Sequence, residues 1–150
     1  MSGTYTNLLF HIVFSTKNRS PLITTEIASE LYPYISGICK NKNAKLLIGN
    51  GMSDHVHLLV QLKPSILLAD FVRDVKANTS KWINEEKCKV KKFGWQDGYS
   101  AFTVSKSQVQ RVIEYIRNQK EHHRTADHLA ELKLLLVRHD ILFEEQRLEN

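Results

Sequence analysis

Residues 44–62, AKLLIGNGMSDHVHLLVQL, decide the fold. Ala44–Ile48 and His55–Leu62 are short apolar runs of strand type, and Gly49-Asn50-Gly51-Met52-Ser53 between them carries turn chemistry. The stretch is predicted to be a β-hairpin. Upstream, Tyr5–Phe14 (YTNLLFHIVF) is rich in aromatic and β-branched residues and reads as a strand. A polar loop, STKNRSP, follows. Residues 24–43 are predicted to be a helix, with Ile27, Leu31, Ile35 and Ile38 on one face; Pro33 inside it predicts a kink or a late start. Downstream, Pro64-Ser65 opens a second helix whose Leu68, Phe71, Val72, Val75 and Trp82 form one stripe. Residues 87–98 (KCKVKKFGWQDG) read as a basic loop, and Tyr99–Ser105 alternates as a strand. Ser107–His123 reads as a single amphipathic helix, with Val109, Val112, Ile113 and Ile116 inward. A last helix at about 127–138 carries Leu129, Leu132, Leu135 and Leu136. The order β-α-β-β-α-β-α-α predicts an α+β, ferredoxin-like antiparallel sheet with helices packed on one face, the architecture RNA-recognition modules share. One domain over 1–150 is expected, with 124–150 as a C-terminal helical extension.

The chain has 150 residues, a formal net charge of +5 and a sequence pI near 9.2, and this length suffices for one domain to bury its own core. Hydrophobic residues make up 42% and charged residues 25%, a globular mix rather than a disordered one. No apolar run approaches the roughly 18 residues of a membrane span. The opening MSGTYTNLLFHIVFSTKNR has its basic residues after the apolar stretch, unlike a secretory signal. Cys39 and Cys88 stand alone in separate segments, which excludes a disulfide scaffold and a cysteine-rich zinc site and suits a reducing cytoplasm. The basic balance, 21 Lys and Arg against 16 Asp and Glu, fits a polyanion partner and a plain lysine surplus about equally. No Gly-rich phosphate loop, dinucleotide fingerprint or catalytic carboxylate pair is legible, which argues against nucleotide-dependent and glycosidase chemistry.

Asp54-His55-Val56-His57 is the sharpest local feature. Side chains alternate along a strand, so His55 and His57 share a face and can hold one cation. For an isolated H-x-H, hydrogen-bonded or surface histidines are commoner than a metal site, by roughly three to one. The second feature is Glu114-Tyr115-Ile116-Arg117-Asn118-Gln119. Tyr115 and Gln119 are i, i+4 neighbours beside the apolar stripe, where a phenol can reach a cleft. A boundary tyrosine with its hydroxyl in water is the plain alternative. Together, His55, His57 and the Gln119 amide oxygen offer three neutral ligands with open positions, suited to magnesium, manganese or zinc. A cation there would act as a Lewis acid on a phosphate oxygen, with Tyr115 as a nucleophile nearby.

Several segments, in order, resemble the single-tyrosine transposases of the insertion-sequence 200/605 family, members of the HUH nucleases. HIVFSTKNR resembles the family's first strand and loop, and DHVHLLV its histidine strand. GWQDGYSAFTVS resembles the approach to its final strand, VIEYIRNQKEHHR its tyrosine helix, and HDILFEEQRLE its C-terminal ending. The resemblance covers nearly the whole chain and assigns His55 and His57 as metal ligands, Gln119 as the third ligand and Tyr115 as the nucleophile. It implies a magnesium- or manganese-dependent enzyme that cuts and rejoins single-stranded DNA at hairpin-bearing element ends. The reaction would pass through a 5′-phosphotyrosine linkage and a free 3′-OH, without ATP. It also implies a homodimer with active sites shared between subunits, working in a bacterial or archaeal cytoplasm with no membrane partner. A domesticated copy, or a non-catalytic hairpin DNA- or RNA-binding protein on the same scaffold, is the alternative.

Lys17 and Arg19 after the first strand, Arg73, Lys76 and Lys81 on the second helix, and Lys91 and Lys92 in the basic loop are the candidate DNA contacts, with Trp95 and Tyr99 as stacking platforms. Lysines on a helix or loop are as often simply solvated.

Overall fold

β1 (Leu8–Ser15) and β3 (His55–Leu62) pair antiparallel, from Leu8 opposite Leu62 to Ser15 opposite His55. They form the centre of a four-stranded sheet. β2 (Lys45–Met52) flanks β3 and β4 (Ser100–Thr103) flanks β1, giving the order β2-β3-β1-β4 with every neighbouring pair antiparallel. This is the expected ferredoxin-like α+β architecture. The computed structural model describes residues 3–87, 92–122, 127–144 and 148; Cys88 and Lys91 lie outside them.

Alternation along the central strands sorts their side chains into two layers. Ile12, Phe14, Val56, Leu58 and Val60 meet α1 (Thr25–Asn41) and α2 (Leu68–Glu86), which contribute Ile27, Leu31, Ile35, Phe71, Val75 and Ile83. Each such fully buried side chain is worth about 1.5–3 kcal/mol relative to exposure. These two helices pack on one face, as expected. The later helices take the other. There α3 (Val109–Arg117) lays Val109 and Ile116 against Leu9 and Leu59. Next to it α5 (His128–Arg138) lays Leu136 against Val13 and Phe102. The histidine-bearing layer is therefore covered rather than open to water.

Three local expectations are corrected. α1 begins at Thr25, where Thr24 Oγ1 accepts from the Ile27 N–H at 3.2 Å, and runs on through Pro33, so there is no late start. The Gly49-Asn50-Gly51 segment is strand, not turn; the reversal falls at Ser53-Asp54. Close approach explains these glycines. A Cβ at Gly51 would lie 2.2 Å from the His55 carbonyl oxygen, and one at Gly49 would lie 2.6 Å from the Tyr32 ring. The turn itself is tied down from outside, since the Ile23 N–H donates to Ser53 O and the Thr16 N–H to Asp54 O, both at 2.8 Å.

The third correction concerns 107–123. A 3-10 turn at Lys106–Gln108 leads into α3, which stops at Arg117, and a short α4 (Gln119–His122) follows. Asn50 of β2 explains the stop. Its Nδ2 donates to the carbonyls of Ile116 and Arg117, each at 3.1 Å, so the last turn of α3 finds its partners in the sheet instead of in a continuing helix.

Candidate active site

The β2–β3 hairpin sets His55 and His57 on the layer beneath α3 and α5, and both rings are fully buried. Buried imidazoles need partners, and each nitrogen has one. His55 Nδ1 lies 2.7 Å from Asp54 Oδ1, and His57 Nδ1 lies 2.8 Å from His11 Nε2. The Nε2 atoms converge. His57 Nε2 is 2.7 Å and His55 Nε2 3.5 Å from Glu131 Oε1, while His55 Nε2 is also 3.3 Å from Gln119 Oε1. Gln119, although beyond the α3 break, is fully buried and its Nε2 donates to Glu131 Oε2 at 3.2 Å. The Tyr115 hydroxyl donates to the same Oε2 at 2.5 Å, and its ring centroid lies 5.8 Å from that of His57. All four residues that the sequence singled out therefore meet within one chain, around a carboxylate that it did not single out.

Glu131 and His11 are the functional candidates that sequence reasoning missed. Glu131 sits on the inward stripe of α5, three residues after buried His128 and four before Leu135. An acidic residue on the inward stripe of an amphipathic helix is the signal that would have found it. His11 shares the inward face of β1 with Leu9 and Val13, between them in sequence. His128 adds to the enclosure by stacking on His55, with ring centroids 3.9 Å apart.

The charge states follow from the partners. Burial acts to push His55 down, but the Asp54 and Glu131 carboxylates outweigh it and raise it to about 9, so it is an imidazolium at neutral pH. Burial pushes His57 down to about 4 and, with His57 beside it, His11 to about 3. Neutral His57 must then place its proton on Nε2, facing Glu131, and accept from His11 Nε2–H at Nδ1. Burial opposes ionisation of Glu131, but His128, His55 and His57 hold its carboxyl far below the usual range. Burial and the hydrogen bond to Glu131 push the Tyr115 phenol well above its ordinary value. In this arrangement Tyr115 keeps its proton.

The donor chemistry fits a divalent cation. One ligand atom from each of His55, His57 and Glu131 lies within 4.8 Å of the others. Metal–ligand bonds of about 2.1 Å require ligand atoms roughly 3.0–3.4 Å apart. The His55–Gln119 and His55–Glu131 spacings are already close to that range, whereas the His57–Glu131 contact is a hydrogen bond that a cation would have to open.

The candidate DNA contacts are scattered. Arg19 lines a hollow of about 370 Å³ together with Gln96, Tyr99 and His128, at the edge of the site. Arg73, Lys76 and Lys81 ride on α2, across the sheet from the histidines. Arg73 pairs with Asp70 and Asp74 at 3.1 and 3.5 Å. Lys76 Nζ donates to the backbone carbonyls of Gln96, at 2.8 Å, and Gly98, so it pins the loop before β4. Trp95 Nε1 donates to Thr79 at 2.9 Å and its ring packs edge-on to Phe14 and Phe93, a core role. Lys17, in the 3-10 turn after β1, Lys81 and Lys92 are exposed, and Tyr99 is 40% exposed. Among the described residues, no helix is long and apolar enough to cross a membrane.

Comparison with known proteins bears on the family and the fold. The model of the IS200-like transposases matches residues 4–119. The transposase of insertion sequence IS200 from Salmonella typhimurium is 26% identical over 136 residues, covering 87% of this chain and 88% of that one. The ISDra2 transposase TnpA of Deinococcus radiodurans is 26% identical over 119 residues, covering 76% and 85%. A crystal structure of a candidate transposase from Deinococcus radiodurans superposes with a TM-score of 0.63 at 25% identity, over 79% of this chain and 95% of that one. A REP-associated tyrosine transposase bound to a REP hairpin shares the fold, with a TM-score of 0.58 at 17% identity over 82% and 74%. The fold and the family match uphold the resemblance read from the sequence: the chain belongs to the IS200-like transposase family. The matched region ends at 119, so Glu131 and all of α5 lie beyond it.

Proposed function

We propose that this protein is a metal-dependent tyrosine transposase that cuts and rejoins single-stranded DNA at hairpin-bearing ends of an insertion sequence. The observation that carries the reading is the convergence of Tyr115, His55, His57 and Gln119 from three separate elements on one buried point. His55, His57 and an oxygen from Gln119 or Glu131 would hold Mg2+ or Mn2+. The ion would polarise a non-bridging oxygen of the scissile phosphate.

The protein's own groups do the rest. Tyr115 Oη bonds to phosphorus as the bond from phosphorus to the 3′ oxygen breaks. The phenol gives up its proton and the leaving oxygen gains one, so a 5′-phosphotyrosine and a free 3′-OH result. Ester exchanges for ester, and a second 3′-OH can reverse the step without ATP. Asp54 and His11 orient the two imidazoles through their Nδ1 atoms. A homodimer that exchanges α3 and α4 would place the same groups in trans. A mixed dimer of Tyr115→Phe and His55→Ala/His57→Ala chains would then recover part of the activity that each parent lacks. Action in a bacterial or archaeal cytoplasm follows from the same reading.

The test is denaturing gel electrophoresis of wild-type and Tyr115→Phe protein with labelled single-stranded DNA from the hairpin-bearing flank of the gene. A metal-dependent covalent adduct from wild type alone is expected. Tight hairpin binding with no adduct from either protein would replace the reading with a non-catalytic, domesticated role.

A further inference from the structure

A cleft of about 540 Å³ opens beside Tyr115, between α3, α5 and β4. Its apolar side is Val104, Val112 and Leu135 together with Phe102, on which the exposed His139 ring is stacked with centroids 4.4 Å apart. Arg111 and Arg138, both exposed, line it as well. No acidic residue is among the described residues that line it.

We infer that this cleft is a nucleotide subsite, which holds the unpaired nucleotide adjoining the scissile phosphate. The inference rests on the transposase reading and adds to it where the strand lies. An apolar pocket with an aromatic wall suits the face of a nucleobase, and this one is large enough for a base and its sugar. Two guanidiniums beside it suit the flanking phosphates, which they can grip in bidentate fashion. The Tyr115 ring forms part of the same wall, so a nucleotide seated there brings its own phosphate to the phenol. The cations on α2 are on the far side of the sheet and cannot serve this step.

Fluorescence anisotropy with labelled octathymidylate and with an abasic octamer of equal charge tests the subsite. Wild type should prefer the octathymidylate by roughly tenfold, as stacking of a single base provides. Val112→Trp, which fills the pocket, should remove that preference and leave binding of the abasic octamer unchanged. Arg111→Gln/Arg138→Gln alters only exposed side chains and so keeps the test open if the tryptophan variant fails to fold. It should weaken both probes and flatten their salt dependence. An unchanged preference in Val112→Trp, or unchanged affinity in the double arginine variant, overturns the subsite. Adduct formation on the gene-flank DNA separates the two readings. An adduct formed as fast by these variants as by wild type sinks the subsite and leaves the transposase standing. No adduct from wild type counts against the transposase, and the octamer titrations still decide the subsite.

Discussion

The Tyr115 hydroxyl donates to Glu131 Oε2 at 2.5 Å, across sixteen residues and a helix break. The same carboxylate faces both histidines and Gln119. Tyr115, the candidate nucleophile, and the candidate metal ligands are thus tied together by one anion supplied by α5.

Removal of that charge should release the phenol. The carboxylate raises Tyr115 after burial has already done so, so Glu131→Gln should bring the phenol back toward 10. Ultraviolet titration, with the Tyr115→Phe protein subtracted to remove the other tyrosines, reads this directly. An unmoved titration would show that the hydrogen bond does not set the state of the phenol.

Metal affinity should rise with pH. His55 is held protonated up to about 9, and a ligand must give up its proton to bind a cation. Mn2+ affinity by calorimetry should climb roughly tenfold per pH unit through the neutral range, as one displaced proton requires, and level off above about 9. A flat profile would exclude His55 as a ligand. At fixed pH, His55→Ala or His57→Ala should cost more than about a hundredfold, and the comparison of Gln119→Ala with Glu131→Ala tells which oxygen completes the set.

His11 should matter to the metal without touching it. A cation needs a bare Nε2 on His57, so the ring must switch to its Nδ1–H tautomer. His11 permits this because its Nε2 can accept as well as donate. His11→Phe retains a ring but no acceptor, and should weaken Mn2+ binding about 10–100-fold; Asp54→Asn should do the same through His55. Unaltered affinity in both would remove these residues from the site's support.

Gly51 is a stability prediction. A methyl there would meet backbone at 2.2 Å, and backbone held in the paired β2–β3 hairpin cannot give way cheaply. Gly51→Ala should cost about 2–4 kcal/mol in urea unfolding. Asn50→Ala, which leaves two α3 carbonyls without their sheet partner, should cost about 1–2 kcal/mol.

What the sequence by itself determined was everything written in short-range periodicity. Alternation in HVHLLVQL placed His55 and His57 on one face, and the spacing of Ile27, Leu31 and Ile35 defined α1. The motif order was enough to reveal the family, because the histidine pair and the tyrosine segment are both local signatures. Tertiary structure alone decided the rest, for one physical reason: these features depend on partners distant in the chain. Asn50 ends α3 from another element, so no residue of the helix announces the break. The glycines of β2 are required by the His55 backbone and the Tyr32 ring rather than by a turn. Glu131 becomes part of the site only because α5 folds back over the histidine layer through Leu136, Val13 and Phe102. A contact across 74 residues leaves no periodic trace in the sequence; packing creates it.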